Sequence, residues 1–414
     1  TLNRNRRLST TGSLLHKIPT DCEVPFLNIL DEYEIEKTIA EGYFAKIFLA
    51  HHKPTKSTVV LKACHVELTS IKEFIREFHY NYQLSHHPQI LSCYQVKFQT
   101  ADYYVFAMEY APYGDLSAHV SGSGIPESCC KKIADQLSSA LGFMHLKNLV
   151  HRDLKLENIL VLALDFSKIK LCDFGATTRQ GTLVHRNNNT WASFLPPEVL
   201  EVVRNERYVV RTSSDTWQFG IILYLCLTGT SPWLKADWVS DPKYSAFMKY
   251  QHNNLSLQKR ETTKIPENFR KFTPRFLRAF RRFFDHNEED RAKVTDIMKY
   301  IKDKWLNTKI SQSRSSVNVT GSSFRVAHPH SDHDSIKYIN HKDSRHTVDE
   351  KGRMKRLMST FGLQQEKLTV NEASTENRVN VWLQQNQSNF QEFGHVEEDM
   401  DLKFWEKGEI ALDF

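Results

Sequence analysis

The sequence predicts an α+β fold in two lobes: a small β-rich lobe with one helix, then a larger, mainly helical lobe. Two patterns carry this expectation. From Tyr33 the chain runs in short, alternating, β-branched stretches interrupted by one helical spacing, and beyond residue 126 the long apolar periods are helical. The 40% hydrophobic content, with 25 Phe, 15 Tyr and 7 Trp, is enough to fill two cores.

Taken in order, residues 1–30 are polar and rich in Ser, Thr and Arg, and read as a flexible N-terminal arm. Residues 33–39, 44–51 and 58–63 read as strands of a meander. In residues 70–84, Ile71, Phe74, Ile75, Phe78 and Tyr82 recur at helical spacing, and 91–98 and 103–109 resume the strands. Residues 127–146, 212–228, 274–284 and 294–306 read as helices. After Ile310 the composition shifts to Ser, Asn, Gln, His and charge, with apolar islands only around Trp382 and Phe404-Trp405. The expected organisation is an arm over 1–30, one domain over 31–306 and a mostly disordered tail over 307–414, with no internal repeat.

Composition excludes a wholly disordered chain, a collagen and a disulfide knot. No stretch approaches the ~20 apolar residues that span a bilayer; residues 220–227 come nearest. The basic start, Thr1 to Arg7, lacks a following apolar region, so no secretory signal is expected; because the sequence opens on Thr and not Met, a further segment is expected to precede it. Cys22, Cys64, Cys93, Cys129, Cys130, Cys172 and Cys226 are odd in number and form no C-x-x-C pair, which fits free thiols in a reducing, cytoplasmic setting.

Charge is uneven. Residues 311–414 carry 13 Lys and Arg against 16 Asp and Glu, a net of −3, whereas residues 1–310 carry 42 against 33, a net of +9. That balance suits an anionic ligand such as a nucleotide, with no nucleic-acid partner expected. The densest basic run holds Arg270, Lys271, Arg275, Arg278, Arg281 and Arg282, interleaved with Phe272, Phe276, Phe280 and Phe283. It reads as a solvated basic face over a buried Phe seam, with a docking surface for acidic partners as the alternative.

The residues that carry chemistry are His151-Arg152-Asp153-Leu154-Lys155-Leu156-Glu157-Asn158, Asp173-Phe174-Gly175 downstream and Val59-Val60-Leu61-Lys62 upstream. Together they resemble the protein-kinase signature set, over roughly residues 31–306. Met108-Glu109-Tyr110-Ala111-Pro112-Tyr113-Gly114-Asp115-Leu116 makes the resemblance closest to the SH3-domain-binding serine/threonine kinase family. The resemblance implies a bilobal kinase fold, ATP and Mg²⁺ as cofactors, and protein substrates. Lys62 would hold the α/β-phosphates, directed by Glu77 or, one turn earlier, by Glu73. Asp153 would be the catalytic base, with Lys155 beside it as the lysine of the serine/threonine type. Asn158 and Asp173 would bind the metal, since Mg²⁺ prefers hard oxygen ligands. Glu109, Ala111 and Asp115 at the hinge complete the implied nucleotide site. An SH3-domain partner is implied by the family name, but the 13 prolines include no P-x-x-P, and only Pro329 lies in the tail.

Two departures stand against the pattern. The phosphate-covering loop, normally Gly-x-Gly-x-x-Gly, reads Ala40-Glu41-Gly42-Tyr43-Phe44-Ala45 and keeps only the middle glycine. Glycine lets backbone amides approach phosphate and permits positive φ, so Ala40 and Ala45 leave room for a raised nucleotide KM. Trp191 stands seven residues before Glu198, where this class of kinase places a Thr, and Thr190 is one step away. Two functions stay open on this reading: an active ATP-dependent serine/threonine kinase, and a kinase-shaped scaffold with little or no phosphotransfer.

The supporting motifs are structural. Leu195-Pro196-Pro197-Glu198 would close the activation segment, with Glu198 paired to Arg291, and Asp215 would brace the catalytic loop. Arg152 would allow a phosphate on that segment to be read, at Thr177, Thr178, Thr182, Thr190 or Ser193, with Thr182 favoured and Thr190 second; order without phosphate is the alternative. Asp115 and Glu157 match positions that meet an arginine upstream of the acceptor, while Leu225 replaces a third carboxylate. Arg6-Arg7-Leu8-Ser9 offers an acceptor of that kind within the chain itself.

Overall fold

The computed structural model describes residues 15–19, 23–186, 191–203, 206–255 and 264–307. Ser9, Cys22, Thr190, the Trp382 and Phe404-Trp405 islands and Pro329 lie outside the described residues.

The small lobe is an antiparallel sheet of β1 (Tyr33–Glu41), β2 (Ala45–His52), β3 (Thr58–His65), β4 (Cys93–Gln99) and β5 (Tyr103–Met108), in the order β1-β2-β3-β5-β4. Alternation along β3 sends Val59, Leu61 and Ala63 to a cluster with Tyr33, Ala50, Phe98 and Val105. Val60 and Cys64 go to the other face, against Phe74 and Ile75 of helix α1 (Ile71–Leu84). Lys62, in step with Val60 and Cys64, therefore points toward α1. Strand pairing places it between Ile47 of β2 and Phe106 of β5.

The large lobe is built on α2 (Glu127–Leu146) and α3 (Thr212–Thr228). Residues 214–228 of α3 are all buried, as a helix apolar on every side requires. It ends on Gly229 at φ +72°, where a Cβ would stand 2.3 Å from the Ser121 carbonyl, so only glycine fits. Trp217 of α3 sits among Trp233, Tyr244 and Phe284.

Helix α4 (Pro242–Leu255) has no counterpart in the sequence expectation, although its start is marked locally: Asp241 Oδ1 accepts Lys243 N and Tyr244 N, just ahead of a proline at the first helical position. In α5 (Pro274–Phe283) the Phe seam is buried as expected. Its basic face is largely answered within the chain. Arg275 pairs with Asp303 at 2.6 Å, Arg282 with Asp296 at 3.2 Å, and Arg281 lies over the Tyr250 ring.

Residues 294–306 are not the expected helix. A 3₁₀ turn spans Val294–Lys299, and the chain then bends. Glu127 takes the Trp305 and Leu306 N–H groups at 3.0 and 2.9 Å, and Trp305 stacks on Phe276 with centroids 4.2 Å apart. These distant partners outweigh the local period.

Part of the N-terminal arm is packed against the small lobe. Leu27 N donates to Gln99 O and Gln99 N to Pro25 O, both at 2.8 Å, and Leu15 is buried.

Candidate active site

Four segments converge between the lobes. β3 supplies Lys62 and α1 supplies Glu77. The loop after β6 (Leu149–Val150) supplies Asp153 to Asn158, and the stretch after β7 (Ile169–Leu171) supplies Asp173.

Lys62 Nζ lies 2.5 Å from Glu77 Oε1 and 3.1 Å from Asp173 Oδ1. Burial works against the Lys62 charge, but Asp173 and Glu77 outweigh it and raise its pKa well above the lysine value. The Lys62 ammonium in turn holds Asp173 at about 2, whereas burial pushes Glu77 up. Glu73 is used elsewhere. With Ser70 it forms a capping box, its Oε2 taking Ser70 N at 3.0 Å while Ser70 Oγ takes Glu73 N at 3.3 Å. The structure thus pairs Lys62 with Glu77. Gly175 permits the approach, because a Cβ there would stand 3.3 Å from Glu77 Oε2. Arg76 Nη2 also reaches Gly175 O, at 3.4 Å.

Lys155 Nζ donates to Asp153 Oδ2 at 2.7 Å, and Asn158 Nδ2 to Asp153 O at 2.8 Å. Burial pulls the Lys155 ammonium down, but Asp153 more than offsets it and its pKa stands above the lysine value. Arg152 and Asp173 both take positive φ, +72° and +66°, a conformation that costs a non-glycine residue about 1–3 kcal/mol. Asp215, fully buried in the first turn of α3, holds the loop: its carboxylate takes His151 N, Arg152 N and His145 Nε2, each at 2.9 Å. Burial opposes its charge, yet these partners keep its pKa below the usual range. Gln218 Oε1 adds a bond from Leu154 N.

The hinge residues have side-chain partners of their own. Glu109 Oε2 accepts from Ser92 Oγ at 2.7 Å and from Lys170 Nζ, while Glu109 N donates to Ser92 O. Ala111 is buried, and its carbonyl accepts Gly114 N at 3.3 Å. Asp115 caps the 3₁₀ turn Leu116–His119 by accepting Ser117 N at 2.9 Å. Glu157 is brought near it; burial first, and the Asp115 and Asp153 charges with it, raise its pKa.

The glycine-poor loop is an ordinary hairpin. Ala40 pairs with Ile47, Gly42 N donates to Ala45 O at 2.9 Å, and none of residues 40–45 has positive φ. Ala40 and Ala45 are unstrained.

The described residues 176–186 are held by protein groups. β8 (Leu183–His185) pairs with β9 (Arg207–Val209), and Arg152 donates to Ala176 O at 2.9 Å and His185 O at 3.3 Å. Thr177 and Ser193 are buried, Thr182 is exposed, and Trp191 is exposed at the head of a 3₁₀ turn. Glu198 and Arg291 form the expected bidentate pair, at 2.9 and 3.0 Å, with the Arg291 side chain fully buried.

Lys170, Gln218, His145 and Arg76 are site supports that the sequence reading missed. Lys170 carried a signal, being a charge inside the buried Ile169-Lys170-Leu171 strand, a place lysine takes only when paired.

Residues 33–306 match the family described as protein kinase domain. Serine/threonine-protein kinase meng-po of Drosophila melanogaster is 53% identical over 380 residues, covering 92% of this chain and 79% of that protein. Serine/threonine-protein kinase SBK1 of Danio rerio is 36% identical over 281 residues, 68% of this chain and 71% of its own. The SBK1 of Mus musculus is 34% identical over 276 residues, 66% of this chain and 64% of its own.

Proposed function

The chain belongs to the protein kinase family, among the serine/threonine kinases, and from that premise we propose that it is catalytically active, transferring the γ-phosphoryl group of ATP to a protein Ser or Thr hydroxyl. One observation carries the reading: Lys62 lies within hydrogen-bond reach of both Glu77 and Asp173, so the charge that must meet the phosphates is already aimed.

In this reading Asp153 takes or orients the proton of the substrate hydroxyl, whose oxygen forms the new P–O bond as the bond to the ADP oxygen breaks. Lys155, 2.7 Å from Asp153, adds positive charge where the phosphoryl group passes. The donor set suits Mg²⁺: Asp173 is ionised at neutral pH, and Asn158, with its Nδ2 given to Asp153 O, keeps its amide oxygen as the ligand atom. With ATP bound, such an ion supplies neutralisation of phosphate charge. Ala40, Gly42 and Ala45 form the hairpin over the phosphates, and Glu109 and Ala111 offer backbone to the base. We place the protein in the cytoplasm; among the described residues all the cysteines are free, and no helix is long and apolar enough to cross a membrane. We further assign Asp115 and Glu157 the recognition of a single arginine upstream of the acceptor, an expectation that a positional peptide array reads directly.

The scaffold alternative rests on Trp191, exposed where a hydroxyl was expected. The deciding measurement is ATP-dependent phosphate incorporation by the full chain, with Asp173→Asn as blank. Wild-type incorporation should exceed the blank by about 10²-fold or more. Equal incorporation by both removes the phosphotransfer reading.

A further inference from the structure

Leu15 is an apolar residue in a polar arm, and it is 5% exposed. It joins the large-lobe core, in a cluster that also contains Tyr80 and Leu84 from the C-terminal half of α1. Its carbonyl accepts His79 Nε2 at 2.9 Å in a buried contact, so His79 carries its proton on that nitrogen. His79 stands two residues beyond Glu77 on the same helix. Ile18 packs against the cores of both lobes, and Val24 against that of the small lobe. Beyond them the chain is tied to the edge strand β4 through Gln99, and Lys53 Nζ donates to Leu30 O at 2.6 Å. Next to Leu15, His16 lies against the Lys147 backbone at the end of α2 and near Arg179, which pairs with Leu149 where the activation segment begins. Burial, then Arg179, hold its pKa below the usual histidine value, which favours the neutral ring among these cations.

We propose that residues 15–19 form an intramolecular clamp holding α1 where Glu77 meets Lys62, with Leu15 and His79 as its positioning residues. Helix α1 is held on one face by Phe74 and Ile75 against the sheet. The clamp ties its far end to the large lobe and so couples the arm to the Lys62–Glu77 pair. Such a coupling acts on the rate through the helix, without touching substrate. The kinetic part rests on the phosphotransfer reading; the conformational part does not.

The test uses full-chain variants and two readouts. Leu15→Asp should speed amide exchange across residues 71–84 by about tenfold relative to the β2 and β3 amides, and lower kcat by about tenfold. In a Glu77→Gln background the same substitution should change kcat by less than about twofold, because the clamp acts through Glu77. His79→Ala should move both readouts the same way by about threefold, and His79→Gln, whose amide can donate to the Leu15 carbonyl, should restore them. Helix exchange unchanged in both Leu15→Asp and His79→Ala overturns the clamp, as does a loss of kcat additive with Glu77→Gln. Exchange rising equally throughout the domain would reduce Leu15 to a core residue and overturn it too. If Leu15→Asp does not fold, the His79 pair decides. If the wild type transfers no phosphate while helix exchange responds, the phosphotransfer reading fails and the clamp stands.

Discussion

Replacing Glu77 by Gln removes one charge from a site and almost nothing else. The Lys62 and Glu77 side chains are 15% and 12% exposed, so solvent screens them weakly. Two unit charges about 4 Å apart at an effective dielectric of about 20 interact by roughly 4 kcal/mol. The glutamine still offers Lys62 an acceptor and Asp173 remains 3.1 Å away, so about two-thirds of that, ~2.7 kcal/mol, is a fair share to lose. In rate this is about two decades. Lys62 would swing toward Asp173, away from the phosphates it must meet, and the loss should fall on kcat/KM for ATP. The control is Glu73→Ala, which removes the Glu73 half of the capping box and costs the helix about 0.5–1.5 kcal/mol of stability while leaving the rate per folded molecule intact. Steady-state phosphate transfer at varied ATP, with thermal unfolding of each variant, measures both. A Glu77→Gln rate within about threefold of wild type, beside a hundredfold loss in Glu73→Ala, would refute the pairing and return the lysine's partner to the earlier turn.

Further outcomes follow from other contacts. Arg291→Met leaves Glu198 without the partner it meets through two bonds, and should lower the unfolding free energy by about 3–5 kcal/mol; a denaturant titration showing under about 1 kcal/mol contradicts the pair's importance. Burial raises the Glu109 pKa but the Lys170 and Ser92 bonds outweigh it, so its folded value lies below 4.5; the stability it contributes is complete above that value and lost as pH falls through the folded one. The stability gap between wild type and Glu109→Gln should therefore shrink below about pH 4.5, and a gap that widens with acid overturns the assignment. Alanine at Thr177, Thr178, Thr182, Thr190 and Ser193 together should leave the rate within about threefold, because Arg152 already holds the segment through Ala176 O and His185 O; a loss beyond about tenfold would assign that order to a phosphate.

What could be read from the sequence was chemistry with local spacing. Lys62 and the 151–158 loop were legible through their resemblance to the protein-kinase signature set; strand alternation supplies the physical reason that Lys62 points toward α1. Glu77 was favoured over Glu73 but not fixed, since residues four apart share a helix face; the contact of Lys62 with Glu77 and the bonds of Glu73 to Ser70 tell them apart. Residues 294–306 misled because Glu127, 178 residues from Trp305, decides where the helical period stops. Lys170 and Glu109 are 61 apart, and the Leu15 carbonyl is met by a histidine 64 residues later; neither pairing has a sequence period to betray it. The phosphate loop is a different case. The missing glycines left room for a raised nucleotide KM, because glycine permits positive φ and a close approach of backbone to phosphate. The chain instead continues β1 through Ala40, paired with Ile47, and closes the turn with Gly42 N on Ala45 O. A methyl group in that extended geometry meets no conformational penalty. A motif's residue requirements rest on the backbone it needs, and at this loop the backbone accepts alanine without strain.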